Sequence, residues 1–184
     1  MSGAADGALY TLIGGAGADI LRGDEGADTF KIAASTEGNS DVFEGNGGDD
    51  TLEVSSGTHV LTNNDNLSEI ENITLSGSTI NLTNQVEGFN ISGAGGVDII
   101  TGGAGNDTLV GGTGNDTFNV DSGTDIITLL GGDNSGAGGE SDVLVVSSGA
   151  TVNAANINSF TATTASSNAG TANLSTKAAG GTIN

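Results

Sequence analysis

The chain contains no cysteine, no proline and no tryptophan, and aromatic residues make up only 3% of its 184 residues. Without cysteine there is no disulfide staple and no thiol redox chemistry. Basic residues are nearly absent as well: Arg22, Lys31 and Lys177 stand against 23 acids, for a formal net charge of −20. So acidic a chain repels nucleic acid and anionic membrane, which makes both poor partners. It also repels itself, so its compact state calls for cations, and metal ions are the natural source. No apolar run approaches the length of a membrane span, so membrane insertion is not expected. The first ten residues lack both the basic region and the apolar run of a secretory signal.

Motifs of catalysis are missing too. His59 is the sole histidine, so a His-Glu-x-x-His zinc site cannot form, and His59 reads as a strand or turn residue. Neither a Gly-x-Ser-x-Gly elbow nor a Gly-Lys-Ser/Thr phosphate loop occurs. The chain reads as a non-enzyme, with its many acids explained by their periodicity and not by a hydrolytic carboxylate pair.

What the chain does have is glycine, 33 residues of it, in register. Residues 93–128 repeat one nine-residue pattern four times, with Asp98, Asp107, Asp116 and Asp125 nine apart. Two positions after each comes a large apolar residue: Ile100, Leu109, Phe118, Ile127. A short fixed period with Gly, Asp and one apolar residue in fixed slots is the mark of a solenoid. Residues 14–22 and 23–31 fit the same pattern around Asp19 and Asp28. Residues 36–44 form a degenerate copy around Asp41, and 45–53 a better one around Asp50.

In a coil of two nonapeptides, each loop stacks on the loop 18 residues further on. Asp98 to Asp116 and Asp107 to Asp125 obey this, whereas Asp19 to Asp41 and Asp28 to Asp50 are both 22 apart. One four-residue insertion near residues 32–35 accounts for both offsets without disturbing the stacking. The organisation is then a lead-in strand within 1–13, a first repeat block at 14–53, solenoid coils without metal loops at 54–92, and a second block at 93–142. The middle coils are expected because short alternating apolar runs, such as Ile70, Ile73 and Leu75, recur between Asn, Ser and Thr breaks. Asp142 reads as a late copy and Asp133 as a doubtful one. Residues 143–184 shift to Ala, Ser, Thr and Asn, as terminal strands or as a segment carrying an export signal. Met1 and the short lead-in favour a complete gene product over a fragment.

The slots dictate the chemistry. Glycines bring backbone carbonyls together and the Asp adds a hard anionic oxygen, with no histidine or cysteine nearby. A flexible loop rich in oxygens suits calcium better than magnesium, which demands a tight octahedron. One loop cannot surround the ion, but two stacked loops can. The expected ligand set is Asp19 with Asp41, Asp28 with Asp50, Asp98 with Asp116 and Asp107 with Asp125. It is completed by the backbone around Gly14, Gly23, Gly45, Gly93, Gly102, Gly103, Gly105, Gly111, Gly112 and Gly114. Several calcium ions are expected, and folding and binding are expected to be one event.

These repeats resemble the RTX (repeats-in-toxin, haemolysin-type calcium-binding) family, most closely at 93–128, then at 14–31 and 45–53, and more loosely at 36–44. The middle is similar to RTX-bearing surface-layer and adhesin proteins. The resemblance implies an all-β, right-handed parallel β-roll or β-solenoid with calcium-binding GGxGxDxUx loops in rows along both edges. It also implies type I secretion, through an uncleaved C-terminal signal, from a Gram-negative or cyanobacterial cell. Two functions remain open. One is an extracellular structural subunit that folds on calcium and assembles end to end into a surface layer, sheath or filament. The other is a secreted adhesin or binding module that does not assemble, with cell-surface polysaccharide as a candidate partner.

Overall fold

The computed structural model describes residues 7–35, 37–61, 63–130, 141–157, 159–176 and 182–184. Among these the chain is all-β and winds as a parallel β-solenoid of about seven turns, a right-handed β-roll. Its strands are short because each carries one inward apolar residue between outward neighbours. In Thr11–Ile13, Val42–Glu44 and Thr108–Val110 only the central side chain is buried. That alternation is the strand period of two imposed on a nine-residue repeat.

One wall of the solenoid is a nine-stranded parallel sheet. It runs Thr11–Ile13, Thr29–Ile32, Thr51–Val54, Asn72–Leu75, Asn90–Ser92, Thr108–Val110, Thr124–Thr128, Thr151–Ile157 and Thr171–Thr176. Its inward file stacks Leu12, Phe30, Leu52, Ile73, Ile91, Leu109 and Ile127 in register. The opposite wall is split. Ile20–Arg22, Val42–Glu44 and Leu67–Ser68 form a three-stranded sheet. Gly57–Val60, Ser78–Asn81, Ile99–Thr101, Thr117–Val120, Val143–Val146 and Ser167–Asn168 form a six-stranded one. A single coil, between Val54 and Asn72, contributes a strand to each, so the opposite wall changes hands there. The core is the file of apolar residues between the walls, with Phe30 and Phe43 meeting edge to face at 5.9 Å.

The 22-residue offset has its cause in that first half. Leu21 pairs with Phe43 and Phe30 with Leu52, so both walls take the insertion in the same coil. The inserted backbone is used: Gly57 packs on Ser35, and the buried His59 ring bridges the carbonyl oxygens of Glu37 and Ser56 at 3.0 and 2.7 Å. The sole histidine is a core residue tying that corner to the coil above.

The described residues of 54–92 continue the same sheets. Residues 143–176 also carry strands of both main walls, with Val146 paired to Asn168 and Val152 to Ala172. The glycine-rich stretch 131–140, with Asp133, lies outside the described residues. No helix among the described residues is long and apolar enough to cross a membrane.

Candidate metal sites

Each nonapeptide loop joins one wall to the other, and its aspartate is the last residue before the strand, except that Asp125 is the second residue of Thr124–Thr128. The loops form two columns, one at each edge of the roll. Down each column the aspartates are linked by one repeated hydrogen bond, in which the backbone N–H of one aspartate donates to Oδ1 of the aspartate a coil further on. The distances are 2.9 Å for Asp19 to Asp41 and 2.6 Å for Asp28 to Asp50. They are 2.9 Å for both Asp98 to Asp116 and Asp107 to Asp125. The structure thus brings together all four pairs expected from the spacing. Asp19 is half-buried and the other seven are buried.

The second oxygen of these carboxylates is the informative one. Oδ2 of Asp19, Asp50, Asp98 and Asp107 is buried and accepts no hydrogen bond. A buried carboxylate oxygen without a donor is costly, at about 1–3 kcal/mol or more for a charged group. Each of these oxygens lies against the first glycine of its own loop. A Cβ on Gly14 would come within 3.0 Å of Asp19 Oδ2, and one on Gly93 within 2.9 Å of Asp98 Oδ2. A Cβ on Gly23, Gly45, Gly102 or Gly111 would overlap the corresponding oxygen of Asp28, Asp50, Asp107 or Asp116. The same glycines also face the next coil: a Cβ on Gly23 would sit 2.7 Å from Gly45 O, and one on Gly93 would overlap Gly111 O. Carboxylate and carbonyl oxygens therefore converge on a cradle that any side chain would fill.

The later glycines of the motif face the coil before. Gly103 approaches the carbonyls of Leu82 and Gln85, Gly105 that of Glu87, Gly112 that of Ala94 and Gly114 that of Gly96. Gly112 and Gly114 have φ of 90° and 127°, a backbone region that side-chain-bearing residues seldom adopt. Among the described residues no three acidic or imidazole side chains gather on one point. The carboxylates are spread one per loop, so any ion held here takes most of its donors from the backbone. Hard oxygen donors in a flexible many-ligand array fit calcium.

The electrostatics agree with an uncompensated row of charge. Burial pushes the Asp107 carboxyl up to about 7, with the Asp125 charge adding to it. Burial likewise raises Asp125 to about 6, aided by Asp121. Asp50 rises to about 6, mainly from burial and further from the charges of Asp28, Glu71 and Asp49. Burial also raises Asp98. The ion pairs among the described residues, Arg22–Glu44 and Lys31–Glu53, both lie on outward strand positions and leave the loops without a basic side chain.

The columns extend beyond the expected ligand pairs, first to Asp142, which the sequence offers as a late copy. Asp142 Oδ1 accepts the Asp116 N–H at 3.0 Å across a 26-residue coil, the same bond the regular pairs make. Asp28 and Asp107 accept the N–H groups of Tyr10 and Phe89, and Asp98 that of Ser78. Glu71 Oε2 accepts the Asp50 N–H at 2.8 Å. Glu71 escapes a search for glycine-bounded aspartates. Its signal is the spacing Glu71-x-Ile73, an acid two residues before an inward apolar residue, as in Asp50-x-Leu52.

Fold and site together define a β-roll whose stacked Gly/Asp loops are built for divalent cations. The model of the RTX calcium-binding nonapeptide repeat, in four copies, matches residues 11–30, 36–58 and 92–127, so the chain carries RTX repeats over these segments. RTX repeats bind calcium and are typical of secreted proteins. The β-solenoid that they build is a structural and binding fold. No curated protein and no solved structure matches the chain.

Proposed function

We propose that this protein is an extracellular structural subunit that folds on calcium and self-assembles into a surface layer, sheath or filament. The observation that carries the calcium part is the set of buried, unpartnered Oδ2 atoms of Asp19, Asp50, Asp98 and Asp107, each against a glycine that leaves room. The residues that would hold the ions are Asp19 with Asp41, Asp28 with Asp50, Asp98 with Asp116 and Asp107 with Asp125, together with loop carbonyls. Asp142 joins Asp116 in the same role. Bound calcium supplies the positive charge that the chain's own side chains do not. Without it the stacked carboxylates repel, and a core one residue deep per strand is too thin to offset the entropy of ordering the chain.

Assembly is supported by the solenoid's edges. Thr11–Ile13 is the outermost strand of its sheet among the described residues, and parallel edges present a row of backbone groups able to pair with another chain. Leu9, Ile13 and Ile20 near that edge are exposed at 75%, 48% and 48%. Stacking a second copy there would cover them. The outward Thr51, Asn72, Asn90 and Thr108 of the long sheet would suit the hydroxyls of a cell-surface polysaccharide. Export through a C-terminal signal within 143–184, from a Gram-negative or cyanobacterial cell, completes this reading.

Circular dichroism during a calcium titration tests the folding step. A β spectrum should grow with calcium, and one unchanged in excess chelator overturns it. Negative-stain microscopy with and without calcium tests assembly. Ordered arrays or filaments in calcium are expected, whereas monodisperse monomers would replace the subunit with a secreted, non-assembling binding module.

A further inference from the structure

The link between Leu67–Ser68 and Asn72–Leu75 is three residues long: Glu69, Ile70 and Glu71. It stacks on the loop 45–50, which joins Val42–Glu44 to Thr51–Val54 and is six residues long. The link has no glycine and no aspartate, and the family match ends at residue 58 before resuming at 92. Strand register nevertheless sets it in the same column. Glu44 pairs with Ser68 and Thr51 with Asn72, so Glu69 follows in line with Gly45 and Glu71 precedes in line with Asp50.

The atoms repeat the construction of the nonapeptide junctions. Glu71 Oε2 accepts the Asp50 N–H at 2.8 Å, the bond each aspartate makes to the coil before it. A Cβ on Gly45 would overlap both Asp50 Oδ2 and the Glu69 carbonyl oxygen. At the Gly23 and Gly93 junctions the same point is shared by the loop's own Oδ2 and the next coil's carbonyl. Asp50 is fully buried, and its Oδ2 has no hydrogen-bond partner. Glu69 takes a left-handed φ of 54°, a conformation that non-glycine residues seldom adopt. That turn aims its carbonyl at the cradle. The extra methylene of Glu71 makes up for the reach lost in a link three residues shorter.

We propose that the first calcium column does not stop at its last nonapeptide. A further calcium ion sits between loop 45–50 and link 69–71, held by Asp50 Oδ2, the Glu69 carbonyl oxygen and the Glu71 carboxylate. This inference rests on the reading that the nonapeptide loops themselves hold calcium. Oxygen-only donors, with two carboxylates and a backbone carbonyl, again select a hard divalent ion. The site would carry the metal row from the first repeat block into coils that have no repeat.

The test counts ions. Native mass spectrometry of the calcium-saturated full chain is compared with Glu71→Gln and with Asp65→Asn, an exposed carboxylate in the neighbouring turn. Glutamine keeps an oxygen for the Asp50 N–H but removes the charge, so a Glu71 that only caps the backbone loses nothing. The expected result is one calcium fewer in Glu71→Gln and the full count in Asp65→Asn. An equal count in all three overturns the site. Anomalous scattering from calcium in crystals of the unmodified chain gives an answer that does not depend on how the variant folds. A peak between Gly45 and Glu69 supports the site. Peaks at the nonapeptide loops with none at this junction overturn it and leave the calcium reading intact, whereas no peaks at all would overturn both.

Discussion

The nonapeptide blocks and the middle coils share sheets, core and strand register, yet they satisfy their corners by opposite means. In the blocks the buried corner groups are carboxylates, with unpartnered oxygens at Asp50, Asp98 and Asp107. In the middle they are mostly neutral donors to backbone. Gln85 Nε2 donates to the Leu61 and Asn63 carbonyls at 2.7 Å each, and Asn66 Nδ2 to the Asp41 carbonyl at 2.7 Å. His59 lies between the Glu37 and Ser56 carbonyls, and its neutral ring donates its single N–H to one of them. An amide brings its own N–H groups, so it fastens backbone carbonyls unaided, although Gln85 Oε1 is itself buried without a partner. A carboxylate brings only acceptors, so it fastens a turn when a cation completes it. On the proposed reading, the difference places the calcium-fastened corners in the repeat blocks, although the two parts share one core.

The sharpest way to break this comparison is to remove one fastener of each kind. Asp107→Asn should lose at least one calcium ion. With calcium at 100 times its Kd, the linked stability lost is about 2.7 kcal/mol. Gln85→Leu removes the amide from the Leu61 carbonyl and should cost about 1–3 kcal/mol with the calcium count unchanged. Urea unfolding in saturating calcium, paired with mass-spectrometric ion counts, reads both. A lowered count in Gln85→Leu would dissolve the distinction.

A smaller contrast compares two glycines with positive φ. Gly112 in the second block has φ 90°, and a Cβ there would overlap the Ala94 carbonyl of the coil before. Gly77 in the middle has φ 59° with nothing within 4 Å of its would-be Cβ. Gly77→Ala should cost about 1 kcal/mol, from the left-handed backbone alone. Gly112→Ala should cost about 2 kcal/mol more, because the loops cannot separate without opening the cradle. Equal melting temperatures for the two variants would mean that the loops yield freely.

A last contrast is a shift with pH. In the metal-free fold Asp107 is raised from 3.8 to about 7, and Asp50 and Asp125 to about 6. A carboxyl whose folded pKa lies above its unfolded value contributes most below the unfolded value, and that contribution is lost as pH rises through the folded one. In chelator, β content should therefore be greater near pH 4.5 than near pH 7.5. With calcium present the dependence reverses, because protons compete for the same oxygens and calcium affinity falls between pH 7.5 and 5. Circular dichroism at the two pH values, with chelator and then with calcium, distinguishes these trends.

Much of the fold was legible because the repeat is local. The nine-residue period sets the inward residue of each strand. The equal 22-residue offsets of Asp19–Asp41 and Asp28–Asp50 reveal that one insertion serves both walls. Less was legible where coil length drifts. Leu52 pairs with Ile73 at a separation of 21, Ile80 with Ile100 at 20, and Phe118 with Leu144 at 26. Glu71 and Ser78 occupy column positions at such irregular distances, 21 from Asp50 and 20 from Asp98, and neither lies in a regular nonapeptide.

The sequence by itself determined the loop chemistry, the inward apolar file and the pairing of regular loops, because each depends on residues within one repeat or on a constant spacing. The tertiary structure decided which residues stand in the columns where the repeat lapses, and where the opposite wall passes from the three-stranded to the six-stranded sheet. Those depend on the cumulative length of each coil, and only the hydrogen-bonded register between coils records it.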